Sequence, residues 1–216
     1  MSYTDVSIDL ETLGVRPGSV ITQIGLCGFN QRPPVSGGTA SKSATLIVVD
    51  PQSMIDLGFF VDWSTIAWWL NAAEAPRVSM ANRRTVMHEI GRALYRVGEW
   101  FANECAPNVR VWGHGCGFDC TQLEIAFQKL GMPVPWDFRR VRDLRTLADL
   151  APAARVERPL PTMAHDAMAD AVAQAEWIQR LTYQIERREV GVIQEQPQGP
   201  VGPNGVNLSG TDLQAV

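Results

Sequence analysis

Read for alternation, "YTDVSIDLETLG" at the start of the chain predicts a strand over residues 5–10. Val6, Ile8 and Leu10 fall on one side, and Asp5, Ser7, Asp9 and Glu11 on the other. Two more β-like runs, residues 20–30 and 43–50, follow across the turn-rich linkers "GVRPGS" and "QRPPVSGGTASK". Linkers this short suit neighbouring antiparallel strands. The pattern then turns helical. "STIAWWLNAAEAPR" predicts a helix with Ser64 as its N-cap, interrupted near Pro76. A longer helix is predicted over about 85–104, with Ile90, Leu94, Val97 and Phe101 on its apolar stripe. "NVRVWGHG" predicts a strand, and "DCTQLEIAFQKLG" a helix closed by Gly131. "FRRVRDL" predicts a strand, "LRTLADLA" a short helix, and residues 164–188 the last long helix. This order implies a mixed sheet with helices packed on its faces. From about residue 190, "QEQPQGPVGPNGVNLSG" is too poor in apolar residues to pack alone. The expected organisation is one domain over 1–189 and a flexible Gly/Pro/Gln-rich tail over 190–216.

Composition narrows the class. The 216 residues are 45% hydrophobic, as in an ordinary globular domain. They hold no apolar run near the ~18 residues that a membrane span needs. The first residues enter a strand pattern directly, without a basic-then-apolar leader, so a cytoplasmic location is expected. Cys27, Cys105, Cys116 and Cys120 are too few for a disulfide framework. "HGCGFDC" gathers His114, Cys116 and Cys120, but no second Cys/His pair completes a zinc site. The net charge of −4 rules out a protein coated in positive charge, yet not a local basic groove. Arg139, Arg140, Arg142, Arg145, Arg155 and Arg158 crowd one region, as a solvated face or a phosphate-binding surface.

The acids raise the chemical question. Asp9 and Glu11 share one side of a strand ~7 Å apart, where like charges repel. That side either faces solvent or holds a cation. Asp119 stands four residues before Leu123, on the inward stripe of its helix, and also suits the N-cap. On the last helix, Asp170 edges the stripe formed by Ala167, Ala171, Ala175, Ile178, Leu181 and Ile185. His165 lies five residues earlier, and Asp166 suits a helix start. Four acids and a histidine together suit Mg²⁺ or Mn²⁺, which prefer carboxylate oxygen. A pair of ions ~3.5–4 Å apart needs about this many acids to offset its charge.

"SIDLETLG", "GHGCGFDCTQLEIAF" and "AHDAMAD" resemble, in order and spacing, the three motifs of the DEDDh 3′→5′ exonucleases. "STIAWWL", "EAPR" and "RDLRTL" are similar to stretches of one branch. That branch includes phage exonuclease A, exonuclease VIII-like domains and a mycobacterial exoribonuclease. The likeness spans residues 3–188, with Pro76 as a departure. It implies an α/β, ribonuclease H-like fold: a mixed sheet of three antiparallel strands then parallel ones, with helices on both faces. It further implies two divalent ions, Mg²⁺ or Mn²⁺, on Asp9, Glu11, Asp119 and Asp170, and His165 as general base. Thr12 and Leu13 would meet the terminal nucleotide, and Asp143 would serve as a structural partner. The implied reaction cleaves terminal phosphodiesters at 3′ ends of single-stranded DNA or RNA, releasing nucleoside 5′-monophosphates. Trp68 or Trp69 could stack on bases, but only one can face a groove, because adjacent helix residues point ~100° apart. Core packing competes for both. Two other readings stay open: the same chemistry restricted to very short oligonucleotides or a nucleotide signal, and an inactive nucleic-acid-binding or interaction protein. The expected setting is the cytoplasm of a bacterium or phage-infected cell, with no membrane partner; relatives are often dimers, which keeps a homodimer open.

Overall fold

The computed structural model describes residues 2–31, 42–72, 87–150 and 156–192, with side chains through residue 186. Its strands are β1 (Tyr3–Thr12), β2 (Ile21–Phe29), β3 (Ser43–Val48), β4 (Cys105–Gly113) and β5 (Val141–Asp143). They form one sheet in the order β3-β2-β1-β4-β5. β1, β2 and β3 pair antiparallel; β4 runs parallel to β1, and β5 parallel to β4. The helices are α1 (Pro51–Ile55), α2 (Trp63–Asn71), α3 (Ile90–Glu104), α4 (Asp119–Lys129), α5 (Leu144–Leu150) and α6 (Ala167–Val192). No helix among the described residues is long and apolar enough to cross a membrane.

The period-2 pattern of β1 sorts the layers. Val6, Ile8 and Leu10 join Leu26, Ile24, Val97, Phe101, Leu123 and Phe127 in a core beneath α3 and α4. The opposite face carries a second core, where Cys27, Phe29 and Trp112 meet Leu144 of α5 and Ala171, Ala175, Ile178 and Leu181 of α6. The polar side of β1 is therefore roofed by α6, and solvent does not explain its acids. Asp5 and Ser7 are wholly buried.

One close approach sets the height of that roof. Gly25 lies opposite Asp9, and a Cβ there would overlap the Ala167 carbonyl at the start of α6. Only glycine allows two backbones to meet this closely. Just past the end of β1, Gln122 of α4 binds the β1–β2 turn. Its side-chain oxygen accepts from Gly18 and Ser19 N–H at 2.8 and 3.1 Å, and its nitrogen donates to Arg16 O at 2.7 Å.

Several boundaries differ from the sequence pattern. α2 starts at Trp63 behind Asp62, so Ser64 lies inside the first turn. α3 starts at Ile90 rather than near residue 85, since His88 is held in a bridge to Val49. The expected strand "FRRVRDL" is mostly a 3₁₀ turn, Phe138–Arg140, capped by Asp137, and only Val141–Asp143 pair. α1 was unforeseen; Asp50 accepts the Gln52 N–H and Pro51 starts the helix. α6 begins at Ala167 because Asp166 Oδ1 accepts the Ala169 N–H at 3.0 Å. "EAPR" and the expected tail beyond residue 192 lie outside the described residues, and residues 190–192 belong to α6.

Gly25→Ala forces α6 away from β2, so chemical denaturation should show a loss of about 1–3 kcal/mol. A variant as stable as the parent would mean that this contact does not set the helix position.

Candidate active site

Three acids line the α6 side of β1, and only one has a cation. Asp5 accepts two hydrogen bonds from Arg110, each 2.8 Å, and a third from Trp112 Nε1 at 2.8 Å. Asp9 and Glu11 have no ion-pair partner among the described residues. Instead, α6 adds another negative group. Carboxyl oxygens of Asp9, Glu11 and Asp170 lie within 4.8 Å of one another.

Asp119 approaches from α4 and stays outside that triad. It is the first helical residue, with Phe118 at the cap position, so it is not the N-cap. Its carboxylate accepts the backbone N–H groups of Leu10 and of its own residue. Leu10 lies just beyond the last β1–β4 pair, Ile8 with Gly113, which leaves its N–H for Asp119.

Burial and mutual repulsion tune the cluster. Asp9 is pushed well above the carboxylate range by burial, then by Asp119, Glu11 and Asp170, against one lowering contact from Gln174. Glu11 is pushed up to about 8 by burial, then by Asp170, Asp166 and Asp119. Asp119 is pushed up to about 7 by burial, opposed by its two backbone hydrogen bonds and by Arg145. Burial also raises Asp170. An all-oxygen set of acids held against repulsion, with no protein cation among them, fits a hard divalent ion such as Mg²⁺ or Mn²⁺.

His165 sits beside the triad in a left-handed conformation, φ 59°, that non-glycine residues seldom adopt. Its backbone N–H donates to Asp170 Oδ2 at 3.0 Å. Its ring packs edge-on against Trp68 and Trp69, with centroids 4.9 and 6.0 Å away. A groove of about 450 Å³ runs from Glu11 past Thr12 and Phe118 to these two tryptophans. Core packing claims only one of them. Trp69 is 4% exposed and donates Nε1–H to Thr12 O at 3.1 Å, whereas Trp68 is 48% exposed on the groove wall. Thr12 lines the groove, with its hydroxyl donated to Gly14 O. Leu13 does not line it; its side chain is in the core and its backbone is bonded to Val20 and Asp62.

Further residues complete the site, among them two glutamines that the sequence pattern did not single out. Gln174 is buried, donates Nε2–H to Asp9 Oδ1 at 2.7 Å and accepts the Ser7 hydroxyl at 3.0 Å. It lies four residues after Asp170, on the same helix side, and that spacing was the available signal. Gln23, opposite Glu11, accepts the Ala167 N–H at 3.3 Å. Asp143 accepts N–H groups from Cys116 and Thr146 at 2.8 and 2.9 Å, tying the loop before α4 to the start of α5. The Arg145 guanidinium rests over Gly115, whose φ is +101°, close enough that a Cβ there would lie 3.2 Å from Cζ. Arg158 acts on Asp170 by charge. Arg155 lies outside the described residues.

The model of the Rv2179c-like family, described as a 3′-5′ exoribonuclease Rv2179c-like domain, matches residues 4–182. No curated protein sequence matches. Among solved structures, cell-death related nuclease 4 (CRN-4) is 12% identical with a TM-score of 0.57; the match covers 84% of this chain and 64% of that one. The nuclease domain of 3′hExo, a DEDDh family member bound to rAMP, is 12% identical with a TM-score of 0.48, covering 84% and 92%. The RNase domain of yeast Pop2 is 12% identical with a TM-score of 0.49, covering 95% and 82%. At that identity the likeness to CRN-4 speaks for the fold alone, and the fold is the expected ribonuclease H-like mixed sheet with helices on both faces.

The raised acids give a signed pH dependence. A carboxyl that binds its proton more tightly when folded stabilises the protein below its unfolded value and loses that contribution as pH rises through its folded value. In EDTA the melting temperature should therefore fall from pH 4.5, the ordinary value for Glu11, to about 8. Glu11→Gln should flatten that slope, and Mg²⁺ should restore more stability at the alkaline end. A melting temperature that rises across this window would count against a repelling cluster.

Proposed function

The chain belongs to the Rv2179c-like 3′-5′ exoribonuclease domain family, and from that membership we propose that it is a metal-dependent 3′→5′ exonuclease acting on single strands. The observation that carries the reading is the gathering of Asp9, Glu11 and Asp170, with Asp119 adjoining, while Asp5 on the same strand is neutralised by Arg110. Evolution of a merely structural sheet would pair all three β1 acids or remove them. The four carboxylates would hold divalent ions, which supply charge neutralisation and Lewis-acid activation of water.

The chain's own groups account for the rest. The groove takes the terminal nucleotide, with Trp68 against its base and Thr12 along its edge. Arg145 and Arg158, in no ion pair among the described residues, bring positive charge beside Asp119 and Asp170, where phosphate arrives. His165 turns from Trp68 and takes the proton of the attacking water. A bond forms between the water oxygen and phosphorus, and the bond from phosphorus to the 3′ oxygen of the shortened strand breaks. The 3′ oxygen gains a proton, and a nucleoside 5′-monophosphate leaves. Gln174 keeps Asp9 turned toward its neighbours throughout.

The test is incubation with Mg²⁺ or Mn²⁺ and 5′-labelled RNA, DNA and dinucleotides. A ladder shortening from the 3′ end supports the reading, and the RNA and DNA arms decide sugar preference. Cleavage of dinucleotides alone would restrict the substrate to short oligomers, and no cleavage would leave a binding protein. Asp9→Asn should lose more than about a hundredfold in kcat, the upper range seen for outer-shell partners of metal ligands. Gln174→Leu should lose about ten- to a hundredfold. His165→Ala should lose about 10²–10⁴ in kcat and keep the stabilisation by Mg²⁺.

A further inference from the structure

The sheet's other face carries a second feature suited to nucleic acid. A cavity of about 550 Å³ between β3 and α3 is lined by Thr45, Ile47, Arg92, Tyr95, Arg96 and Trp100. Thr45 and Ile47 lie opposite Leu26 and Ile24, which lie opposite Ile8 and Leu10. The cavity therefore belongs to the face turned away from Asp9 and Glu11.

The charge of the cavity lining is positive, two arginines against Glu99. Arg92 and Arg96 stand four residues apart on one side of α3, a spacing at which like charges destabilise a helix. Neither has an ion-pair or hydrogen-bond partner among the described residues, although Glu99 lines the same cavity. His88 nearby is lowered by partial burial, then by Arg96 and Arg92. In a chain of net charge −4, two exposed guanidiniums with no ion-pair partner stand beside Tyr95, 59% exposed, and the half-buried Trp100. Guanidinium forks match phosphate oxygens, and aromatic rings stack on bases.

We propose that this groove is a second binding site for the substrate strand, gripping nucleotides upstream of the 3′ end held at the acids. The proposal rests on the exonuclease reading for its ligand. β3 is the sheet edge, two strands from β1 and about 10 Å from it sideways. A strand passing over that edge reaches the groove, whereas a dinucleotide does not.

The test uses the full chain and the double variant R92E/R96E, with R92Q/R96Q as the milder control for folding. Anisotropy of a labelled single strand of about 20 nucleotides, longer than the site size of single-strand grooves, is read in EDTA. Affinity should fall about tenfold in the double variant, with a shallower dependence on salt. With Mg²⁺, KM for the long strand should rise by a similar factor while kcat, and all kinetics on a dinucleotide, stay unchanged. Equal affinity in parent and variants overturns the proposal. A parent that elutes as a dimer, with variants that elute as monomers and bind the strand equally well, overturns it too, by assigning the groove to a second copy. Absence of cleavage by the parent would defeat the exonuclease reading, while the EDTA binding comparison still decides this one.

Discussion

Repulsion among acids that cannot move apart is the interaction on which the site depends. Asp9 and Glu11 are fixed by strand register, Asp170 by the first turns of α6, and Asp119 by the first turn of α4. α6 can come this near because Gly25 lets its first turn rest on the β2 backbone. The resulting strain is electrostatic and local, and the two hydrophobic cores, one on each face, hold the sheet and helices against it. Asp5 shows the contrast within one strand: wholly buried, it is matched by a bidentate arginine and an indole N–H. Asp9 and Glu11, on the same strand, have no such cation among the described residues.

Around the charges stands a frame of uncharged amides and one capping acid. Gln174 spans Ser7 and Asp9, Gln23 holds the start of α6, and Gln122 ties α4 to the β1–β2 turn. An amide both donates and accepts, so it can position a carboxylate without neutralising it. A lysine in the place of Gln174 would pair with Asp9 and compete with any bound ion. Asp143 performs the corresponding task outside the cluster. Against the upward push of burial, hydrogen bonds from Thr146 and Cys116 hold it below its ordinary value. It is a helix cap and loop clasp, as its place before α5 led one to expect.

The sheet divides labour between its faces. Acids, His165 and the tryptophan groove gather where α2, α4 and α6 converge at the end of β1. The arginine-lined cavity faces the other way, under α3. A negative overall charge is compatible with both, because each is a local arrangement and charges beyond about 10 Å are screened at ordinary salt.

Alternation and helical spacing in the sequence by themselves determined the strand order, the order of every helix but α1, the inward stripes and the segments that carry acids. These follow from local geometry, since side chains repeat every two residues in a strand and about every 3.6 in a helix. Element ends were less legible at Ile90 and Ala167, where a bridge and a side-chain cap outweigh periodicity. Only the tertiary structure decided that the acid side of β1 is covered, that Asp119 is no N-cap, that Trp68 and Trp69 part company, and that Leu13 belongs to the core. It alone assigned Gln174 and Gln23 their partners, 165 and 144 residues away in sequence. Contacts of that span depend on where whole helices come to rest, and no local pattern encodes the distance between two backbones.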